Sequence, residues 1–210
     1  MAYLILVRHG NSEWNALGKW TGLEDVSLSE QGREEARSAA AALEGLEIHG
    51  AHTSNLKRAH ETLEEIQLAL NLSHIPVQKH QALNERDYGK YTGKNKWQIK
   101  DEVGEEEFKK IRRSWDYQLP EGESLKDVHA RVVPYYKEHI LEDLKQGKNI
   151  IVAAHGNSLR ALVKHLEDIS DDDISNLEIG TGDVHLYEIN EDAKIISKEI
   201  KSSNPNTGKI

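Results

Sequence analysis

The sequence predicts an α/β fold: a three-layer α/β/α sandwich with a mainly parallel central sheet. Short apolar runs, such as residues 3–7 and 150–154, alternate with longer segments whose apolar residues repeat every three or four positions. That alternation is typical of a parallel sheet covered by helices on both faces. Each of the two runs also leads within two residues into a histidine followed by a glycine. Because α/β proteins bind ligands beyond the carboxyl ends of their strands, we expect the functional site where these histidines lie.

The first half of the chain contains three predicted strands and two predicted helices. The strands cover residues 3–7, 50–53 and an edge strand at 76–77. A helix over residues 30–43 has Ser29 as its N-cap, and its small alanines allow close packing on the sheet. The next helix is expected to take Ser54 as its cap, since apolar residues step by three and four from Leu56 to Leu70.

The second half begins with a segment, residues 83–104, that has no sustained period and predicts a long functional loop plus a short helix. Ser124 and Asp127 resemble a capping box at the start of a helix that runs to about Lys145, with a kink expected at Pro134. The other predicted elements are a helix over 105–115, a strand over 150–154, a helix over 159–166 and an edge hairpin of strands 184–189 and 194–200.

Length and composition set limits on the organisation of the chain. The 210 residues include no Pro/Gly/Ser-rich linker, so we expect one domain over residues 1–201 and a flexible polar tail over 202–210. No run approaches the ~18 apolar residues of a membrane span, and the apolar start is too short for a signal peptide. We therefore expect a cytoplasmic protein that does not bind a membrane.

Charge and cysteine content narrow the range of functions. The absence of cysteine excludes disulfides, thiolate nucleophiles and cysteine-based zinc sites. A net charge of −9 argues against nucleic acid as a partner. Residues 85–100 are nevertheless locally basic, which suggests a small anionic ligand bound at one place. An exposed loop with scattered charges remains the alternative for this segment.

His9 is the first candidate for a chemical role. A neutral imidazole can attack phosphorus and hold the phosphoryl group covalently, provided that its second ring nitrogen is fixed by a hydrogen bond. If the strands before His9 and His155 are neighbours, both rings face one pocket, and the helix after each glycine would direct free N–H groups towards an anion there. For a single His-Gly pair, a histidine that only caps a strand end remains the alternative.

The motif Arg8-His9-Gly10-x-Ser12-x-Trp14-Asn15 resembles that of the histidine phosphatase superfamily. Further motifs follow in order, and the whole series is similar to the 2,3-bisphosphoglycerate-dependent phosphoglycerate mutases. These motifs are Thr21-Gly22, Leu83-Asn84-Glu85-Arg86-x-Tyr88-Gly89, Gly93-x-Asn95-Lys96, Arg112-Arg113 and Ala153-Ala154-His155-Gly156-Asn157-Ser158-Leu159-Arg160. The resemblance covers nearly the whole chain and implies a phosphoglycerate mutase-like fold.

The resemblance also implies an activity and a set of roles. The activity is the interconversion of 3-phosphoglycerate and 2-phosphoglycerate in glycolysis and gluconeogenesis, through a phosphohistidine primed by 2,3-bisphosphoglycerate and without a metal. His9 is implied as the nucleophile, Glu85 as the proton donor and acceptor, and His155 as a stabiliser of the phosphoryl group. Arg8 and Arg58 complete the positive clamp. The implied substrate-binding residues are Asn15, Thr21, Gly22, Arg86, Tyr88, Lys96, Arg112, Arg113, Gly156 and Asn157.

Alternatives to this function remain open. A broad-specificity histidine phosphatase would hydrolyse small phosphomonoesters on the same fold, but it has less need of a second anionic clamp. A non-catalytic phospholigand-binding module would be expected to lack His9 or Glu85. Taken alone, Arg112-Arg113 could be a solvated helix face and Glu85 beside Arg86 a surface ion pair.

Three features depart from the mutase pattern. The connection between Trp115 and Ser124 is short, which favours a monomer over a homodimer because oligomer contacts could be missing. Residues 181–185 carry Asp183, which would be unfavourable near a phosphate unless it points away. The tail after Ile200 is brief.

Overall fold

The computed structural model describes residues 1–202 and 204, and the side chain of residue 202 is not described. Strand β1 (Ala2–Arg8) lies inside a six-stranded sheet because its residues are almost all apolar. The other strands are β2 (Gly50–Thr53), β3 (Val77–Lys79), β4 (Ile150–Ala154), β5 (Val184–Ile189) and β6 (Ile195–Ser202). Their order across the sheet is β3-β2-β4-β1-β5-β6.

The sheet is mainly parallel, as predicted. β3, β2, β4 and β1 run in one direction, whereas β5 and β6 form an antiparallel hairpin beside β1. The register of β1 on β4 pairs Arg8 with Ala154, the last residues of the two strands. The residues that follow, His9 and His155, therefore leave the sheet side by side.

Helices cover both faces of the sheet and complete the predicted three-layer sandwich. The helices are α1 (Glu13–Ala16), α2 (Glu30–Ala41), α3 (Lys57–Ala69), α4 (Lys96–Val103), α5 (Glu105–Arg113), α6 (Leu125–Tyr135), α7 (Leu141–Lys145) and α8 (Gly156–Leu166). No helix among the described residues combines the length and the apolar character that a bilayer crossing requires.

The alternation of side chains along β1 supplies two hydrophobic cores. Leu4 and Leu6 pack in a core with residues of α6 and α8. Ile5 and Val7 pack in a second core, on the opposite face, with residues of α2 and α3. A third, smaller cluster surrounds Trp20 and includes residues of α4 and α5. This cluster supports the loop segment that the sequence predicted to be functional.

Several local predictions are confirmed and others are corrected. Ser29 and Ser124 cap α2 and α6 with their side chains, as expected. Ser54 does not cap α3, because Leu56 holds the N-cap position and the Ser54 hydroxyl contacts a histidine ring instead. A π-helical turn over Tyr136–Ile140 follows Pro134, close to the position where the sequence predicted a kink.

Two helix starts also differ from the prediction. α8 begins at Gly156, three residues earlier than expected, because the chain turns helical directly after His155. The helix after His9 is only the four-residue α1, capped by Ser12, so it does not match α8 as a source of free N–H groups. The predicted tail over 202–210 falls largely on residues outside those described, namely 203 and 205–210.

Two glycines allow the loop after His9 to lie directly on α2. A Cβ atom at Gly32 would overlap the backbone of Asn11, and a Cβ atom at Gly10 would overlap the carbonyl group of Gly32. The Asn11 amide also donates to Glu35, farther along the same helix. The close backbone approach thus fixes the segment that carries His9.

Gly32→Ala tests this close approach. Alanine normally stabilises a helix relative to glycine by about 0.5–1 kcal/mol, but here the added methyl group must displace backbone. We expect the variant to lose more than about 2 kcal/mol of unfolding free energy in urea denaturation. Ser38→Ala, at an exposed position of the same helix, is the control and should change it little. A stabilised Gly32→Ala protein would contradict the proposed contact.

Candidate active site

Two buried histidine rings lie in contact at the carboxyl ends of β1 and β4. The ring centroids of His9 and His155 are 4.9 Å apart, and both residues are almost fully buried. The Nδ1 atom of His9 lies 2.7 Å from the carbonyl oxygen of Gly10. Since a carbonyl only accepts, Nδ1 carries the proton of the neutral ring and Nε2 retains its lone pair.

His155 is fixed by a different partner. Its Nε2 atom lies 2.7 Å from the hydroxyl of Ser54, which also accepts a hydrogen bond from the amide of Leu56. The Ser54 hydroxyl can donate to Nε2 or accept from it, and either contact fixes the orientation of the His155 ring. The Nδ1 atom of His155 is buried and has no hydrogen-bond partner within the described part of the chain.

Burial and nearby arginines keep both rings neutral. Desolvation is the largest cause that lowers the pKa of His9 well below its usual value, followed by the charges of Arg58 and Arg8. Desolvation and the charge of Arg58 lower the pKa of His155 in the same way. Both imidazoles are therefore uncharged at neutral pH, the form that a nucleophilic ring nitrogen requires.

The two arginines are held by backbone carbonyl groups. Arg58 is buried in α3 and donates to the carbonyl oxygens of Gly22 and Glu24, each at 2.8 Å. Burial lowers the pKa of Arg58 to about 10. Arg8 donates through Nη1 to the carbonyl oxygen of Ile179 at 2.5 Å. These bonds fix the two guanidinium groups before any ligand arrives.

The site consists of two adjoining cavities that share part of their walls. The inner cavity is lined by Arg8, His9, Asn15, Lys19, Trp20, Thr21, Gly22, Arg58, Glu85, Tyr88 and Lys96. The outer cavity is lined by Arg8, Asn11, Asn15, Trp20, Glu85, Tyr88, Lys96, Arg112, Arg113, Gly156, Asn157, Arg160, Glu178, Ile179, Gly180, Thr181 and Asn204. Most of the charged side chains in both walls are cationic, so the site suits a ligand with two anionic ends.

Glu85 lies where the two cavities meet. Its Oε1 atom accepts hydrogen bonds from the amides of Arg86, at 2.8 Å, and Asn157, at 3.1 Å. Both of these bonds go to one oxygen. The other, Oε2, lies near Gly156, where an added Cβ atom would be 3.7 Å away. The carboxylate is thus oriented by backbone beside the first turn of α8.

Lys96 brings a buried ammonium group to both cavities. Its amide donates to the carbonyl oxygen of Gly18 at 2.8 Å, which ties the start of α4 to the loop after α1. Burial is the largest cause that lowers the pKa of Lys96 to about 8, and the charge of Arg112 acts in the same direction. The side chain therefore changes charge close to neutral pH.

Three arginines form the far wall of the outer cavity. Arg112 and Arg113 end α5, and Arg113 forms an ion pair with Glu178. Arg160 is buried in α8 and donates to the carbonyl oxygens of Arg113, Ile174 and Leu177 and to the side chain of Asn157. Burial lowers the pKa of Arg160 to about 9.

Asn157 connects this wall to the loop that carries Glu85. Its side-chain amide donates to the hydroxyl of Tyr88 at 3.0 Å, and its side-chain oxygen accepts from Arg160. The hydrogen bonds of its amide and side chain therefore join the loop of Glu85 and Tyr88 to Arg160, one turn farther along α8. Their geometry depends on α8 starting at Gly156.

Most of the residues predicted from the sequence line one cavity or both, but two do not. His155 lies behind the cavity walls and reaches the site through its contact with His9. Arg86 is fully buried, donates to the carbonyl oxygen of Ile111 and packs its guanidinium on the ring of Tyr88. Arg86 therefore lies beneath Tyr88, and its contact with substrate stays a prediction.

The segment that departs from the mutase pattern also takes a defined position. The Asp183 carboxylate accepts hydrogen bonds from the amides of Gly180 and Asn204. Asp183 is buried and is not part of either cavity wall. Its negative charge therefore stabilises a turn, which satisfies the condition that it point away from a bound phosphate.

The sequence interpretation did not identify several lining residues, of which Arg160 and Glu178 matter most. Arg160 ends the last of the sequence motifs but was given no role there, because its carbonyl acceptors come from other segments of the chain. Glu178 lies in a loop before β5. Its position in the outer cavity arises only when that loop meets α5. Among the described residues, no group of three or more histidine or acidic side chains is placed to hold a metal ion.

Comparison with known proteins gives consistent matches. Residues 4–199 match the model of the histidine phosphatase superfamily, branch 1. A 2,3-bisphosphoglycerate-dependent phosphoglycerate mutase of Lachnoclostridium phytofermentans is 45% identical, over 93% of this chain and 90% of that protein. The mutase of the same name from Mesorhizobium japonicum is 46% identical, over 94% of this chain and 97% of that protein. A mycobacterial glucosyl-3-phosphoglycerate phosphatase has a similar fold, with a TM-score of 0.81 over 97% of this chain and 99% of that one at 24% identity.

The low pKa of Lys96 predicts a pH-dependent affinity for anions. Below pH 8 the amine is protonated and attracts a dianion, and above pH 8 the free protein loses that charge. Calorimetric titration with sulfate, whose own charge stays constant, should show roughly threefold weaker binding at about pH 8.5 than at about pH 7, a range that lies below the pKa of Arg160. Lys96→Met should remove most of this difference, whereas Lys90→Met, at an exposed position, should retain it. An unchanged pH dependence in Lys96→Met would contradict the assignment.

Proposed function

Because the chain belongs to the histidine phosphatase superfamily, and within it to the 2,3-bisphosphoglycerate-dependent phosphoglycerate mutases, we propose that it interconverts 3-phosphoglycerate and 2-phosphoglycerate. The observation that carries the proposal is that a pair of neutral histidines lies beside a second cationic cavity. A neutral histidine is required to form a phosphohistidine, and a second cationic cavity is required to bind a substrate with two anionic ends.

His9 acts as the nucleophile in the proposed reaction. Its Nε2 lone pair attacks a phosphorus atom of the ligand, the P–N bond forms and the P–O bond to the sugar-acid oxygen breaks. The Gly10 carbonyl oxygen lies 2.7 Å from the Nδ1 nitrogen and accepts its hydrogen bond, so the charge that develops on the imidazole stays next to an acceptor. In the reverse step a substrate hydroxyl attacks the phosphohistidine and His9 leaves as the neutral ring.

Glu85 moves the proton that this exchange requires. When the P–O bond breaks, the carboxylic acid form of Glu85 donates its proton to the departing oxygen. When a hydroxyl attacks, the carboxylate takes the proton back. The two backbone amides on Oε1 support this role because they orient the carboxyl group without removing Oε2 from reach of the ligand.

Fixed positive charge stabilises the phosphoryl group in the transition state of its transfer. Arg8 and Arg58 are held by carbonyl groups beside His9, so little reorganisation is needed when charge builds up on the phosphoryl oxygens. His155, whose ring contacts that of His9, is proposed as a further group that stabilises these oxygens. Asn15, from the shared wall, and Gly156, from the wall of the outer cavity, are proposed as additional donors.

The second cationic cavity holds the part of the substrate that is not reacting. Lys96, Arg112 and Arg113 are proposed to bind the carboxylate or the second phosphate, and Tyr88 and Asn157 to position it. Guanidinium groups suit this task because their planar forks bind carboxylate and phosphate at two points. A phosphatase for simple monoesters has less need of such a clamp, which ranks hydrolysis second.

We include 2,3-bisphosphoglycerate in the proposal as the donor that first phosphorylates His9. Two observations fit a ligand of this charge. The hydroxyl of Thr21 and the Nε atom of Arg8 are buried without a hydrogen-bond partner among the described residues, although both side chains border the inner cavity. A phosphate in that cavity could satisfy both donors. Gly22 borders the same cavity.

The setting of the enzyme completes the proposal. We propose a cytoplasmic enzyme that acts on a small phosphorylated substrate as a monomer rather than a homodimer, and that has neither nucleic acid nor membrane as a partner. The net charge of −9 and the short connection between Trp115 and Ser124 support these points. Light scattering of the purified chain would determine the oligomeric state.

His9→Ala provides the main test. Incubation of the parent protein with 2,3-bisphosphoglycerate should give one acid-labile phosphate at His9, detected by mass spectrometry, and a primed coupled assay should show turnover of 3-phosphoglycerate. The variant should show neither, because no ring nitrogen can accept the phosphoryl group, while its circular dichroism stays unchanged. His74→Ala, at an exposed histidine, should behave as the parent. Rapid hydrolysis of many monoesters by the parent with little isomerisation would favour the phosphatase.

Arg113→Ala separates the two cavities. Loss of one charge-assisted contact to the far end of the substrate should weaken binding of 3-phosphoglycerate by roughly ten- to hundredfold. Binding of inorganic phosphate, which needs only the cluster at His9, should change much less. Equal losses for both ligands in calorimetric titration would assign Arg113 to the phosphoryl site itself.

A chelator tests the metal-free mechanism. Every proposed step uses a side chain of this protein, so dialysis against EDTA should leave turnover of 3-phosphoglycerate unchanged. A loss of activity that added divalent metal restores would refute the mechanism.

A further inference from the structure

One acidic side chain in the outer cavity has no part in the chemistry above. Glu178 lies in the loop before β5 and forms an ion pair with Arg113. Glu85 and Glu178 are the two carboxylates among the described residues of that cavity wall. Glu85 also borders the inner cavity with His9, whereas Glu178 does not. The carboxylate of Glu178 therefore occupies the end of the site that is proposed to hold the second anionic group.

Hydrogen bonds from arginine side chains hold the backbone on both sides of Glu178. The carbonyl oxygen of Leu177 accepts from the Nε atom of Arg160 at 3.1 Å, and that of Ile179 accepts from Arg8 at 2.5 Å. Two buried or half-buried arginines thus hold the residues before and after Glu178. Its carboxylate is preorganised against Arg113 and does not belong to a loosely held surface loop.

The charge of Glu178 acts on the whole far wall. Burial and the charge of Arg113 lower the pKa of Arg112, and the charge of Glu178 opposes this effect. Glu178 likewise opposes the lowering of the pKa of Arg160 that burial and Arg113 cause. One carboxylate therefore partly neutralises three guanidinium groups that lie near one another.

A ligand with an anionic far end must compete with this carboxylate. Arg113 is already paired in the free protein, and its side chain is only 15% exposed. A bound carboxylate or phosphate either replaces Glu178 at Arg113 or shares the guanidinium with it, at a cost in affinity. A ligand whose far end is neutral meets no such competition.

We propose that Glu178 is a specificity-determining residue that competes with the second anionic group of the ligand for Arg113. The proposal rests on the proposed mutase function, since it concerns the far end of a phosphoglycerate. A mutase must let the bisphosphate turn around before His9 takes the other phosphate. A partly neutralised wall holds the far end loosely enough for that exchange, whereas three uncompensated arginines would retain it.

Glu178→Gln provides the test because the amide keeps the size of the side chain and removes its charge. Two ligands that differ at the far end are compared by calorimetry on unprimed protein: 3-phosphoglycerate, which carries a carboxylate, and glycerol 3-phosphate, which does not. The variant should bind 3-phosphoglycerate about three- to tenfold more tightly and glycerol 3-phosphate with unchanged affinity. In the primed assay both KM and kcat for 3-phosphoglycerate should fall, because release of the tighter ligand is slower.

Two controls separate competition at Arg113 from a general change of charge. Glu44→Gln removes the same charge at an exposed position with no role in the site and should leave both affinities unchanged. In an Arg113→Met background, Glu178→Gln should tighten binding of 3-phosphoglycerate much less, since the contested guanidinium is absent and only the weaker effects on Arg112 and Arg160 remain. Equal tightening for both ligands, no tightening, or tightening that is as large without Arg113 would each overturn the proposal.

The activity assay tests the mutase function, and the binding comparison tests the role of Glu178, so a failure of one can be distinguished from a failure of the other. If the parent protein does not isomerise 3-phosphoglycerate with its primer, the mutase function is wrong. The difference between the two ligands is still measured in that case and decides whether Glu178 competes at Arg113.

Discussion

The parallel pairing of β1 with β4 is the constraint on which the rest of the site depends. Because Arg8 and Ala154 are register partners, the two histidines that follow must emerge next to each other. A slip of one residue would turn the apolar side chains of β1 to the wrong cores and separate the rings. The two hydrophobic cores, one on each face of β1, therefore enforce the ring contact of 4.9 Å. The packing of the two cores thus holds His9 and His155 in the arrangement that the reaction requires.

The positive charge around that contact forms two groups, which are called tiers here: the arginines near the two histidines and the arginines of the far wall. Near His9 and His155 the arginines are held by backbone carbonyl groups, so their positions do not depend on a ligand. At the far wall the positive and negative charges are more nearly equal, because Glu178 offsets part of the charge of Arg113 and its neighbours. A rigid tier suits a reaction whose charge develops at one point. An adjustable tier suits a substrate that has to change its orientation between two chemical steps.

Sequence patterns predicted the structural features that are determined by residues close to one another in the chain. The alternating apolar pattern gave the three layers, and the Ser124 capping box gave the start of α6. The chain motifs named most cavity residues, but Arg86 lies beneath the wall because its guanidinium packs on Tyr88. Arg160, although it ends a motif, and Glu178 were given no role because their partners are carbonyl groups and charges from other segments of the chain. No periodicity encodes such contacts. They exist only after α8, α5 and the loop before β5 have packed together.

The buried amine of Lys96 has a consequence for chemical biology. An amine whose pKa is about 8 is partly unprotonated near neutral pH, so it is far more nucleophilic than an ordinary surface lysine. It also lies among cations that attract negatively charged reagents. A small aldehyde or ester carrying a phosphate should therefore be drawn to this position and acylate or condense with it in preference to the exposed lysines. The site thus offers an anchor for covalent ligands that does not rely on a cysteine, a residue this chain lacks altogether.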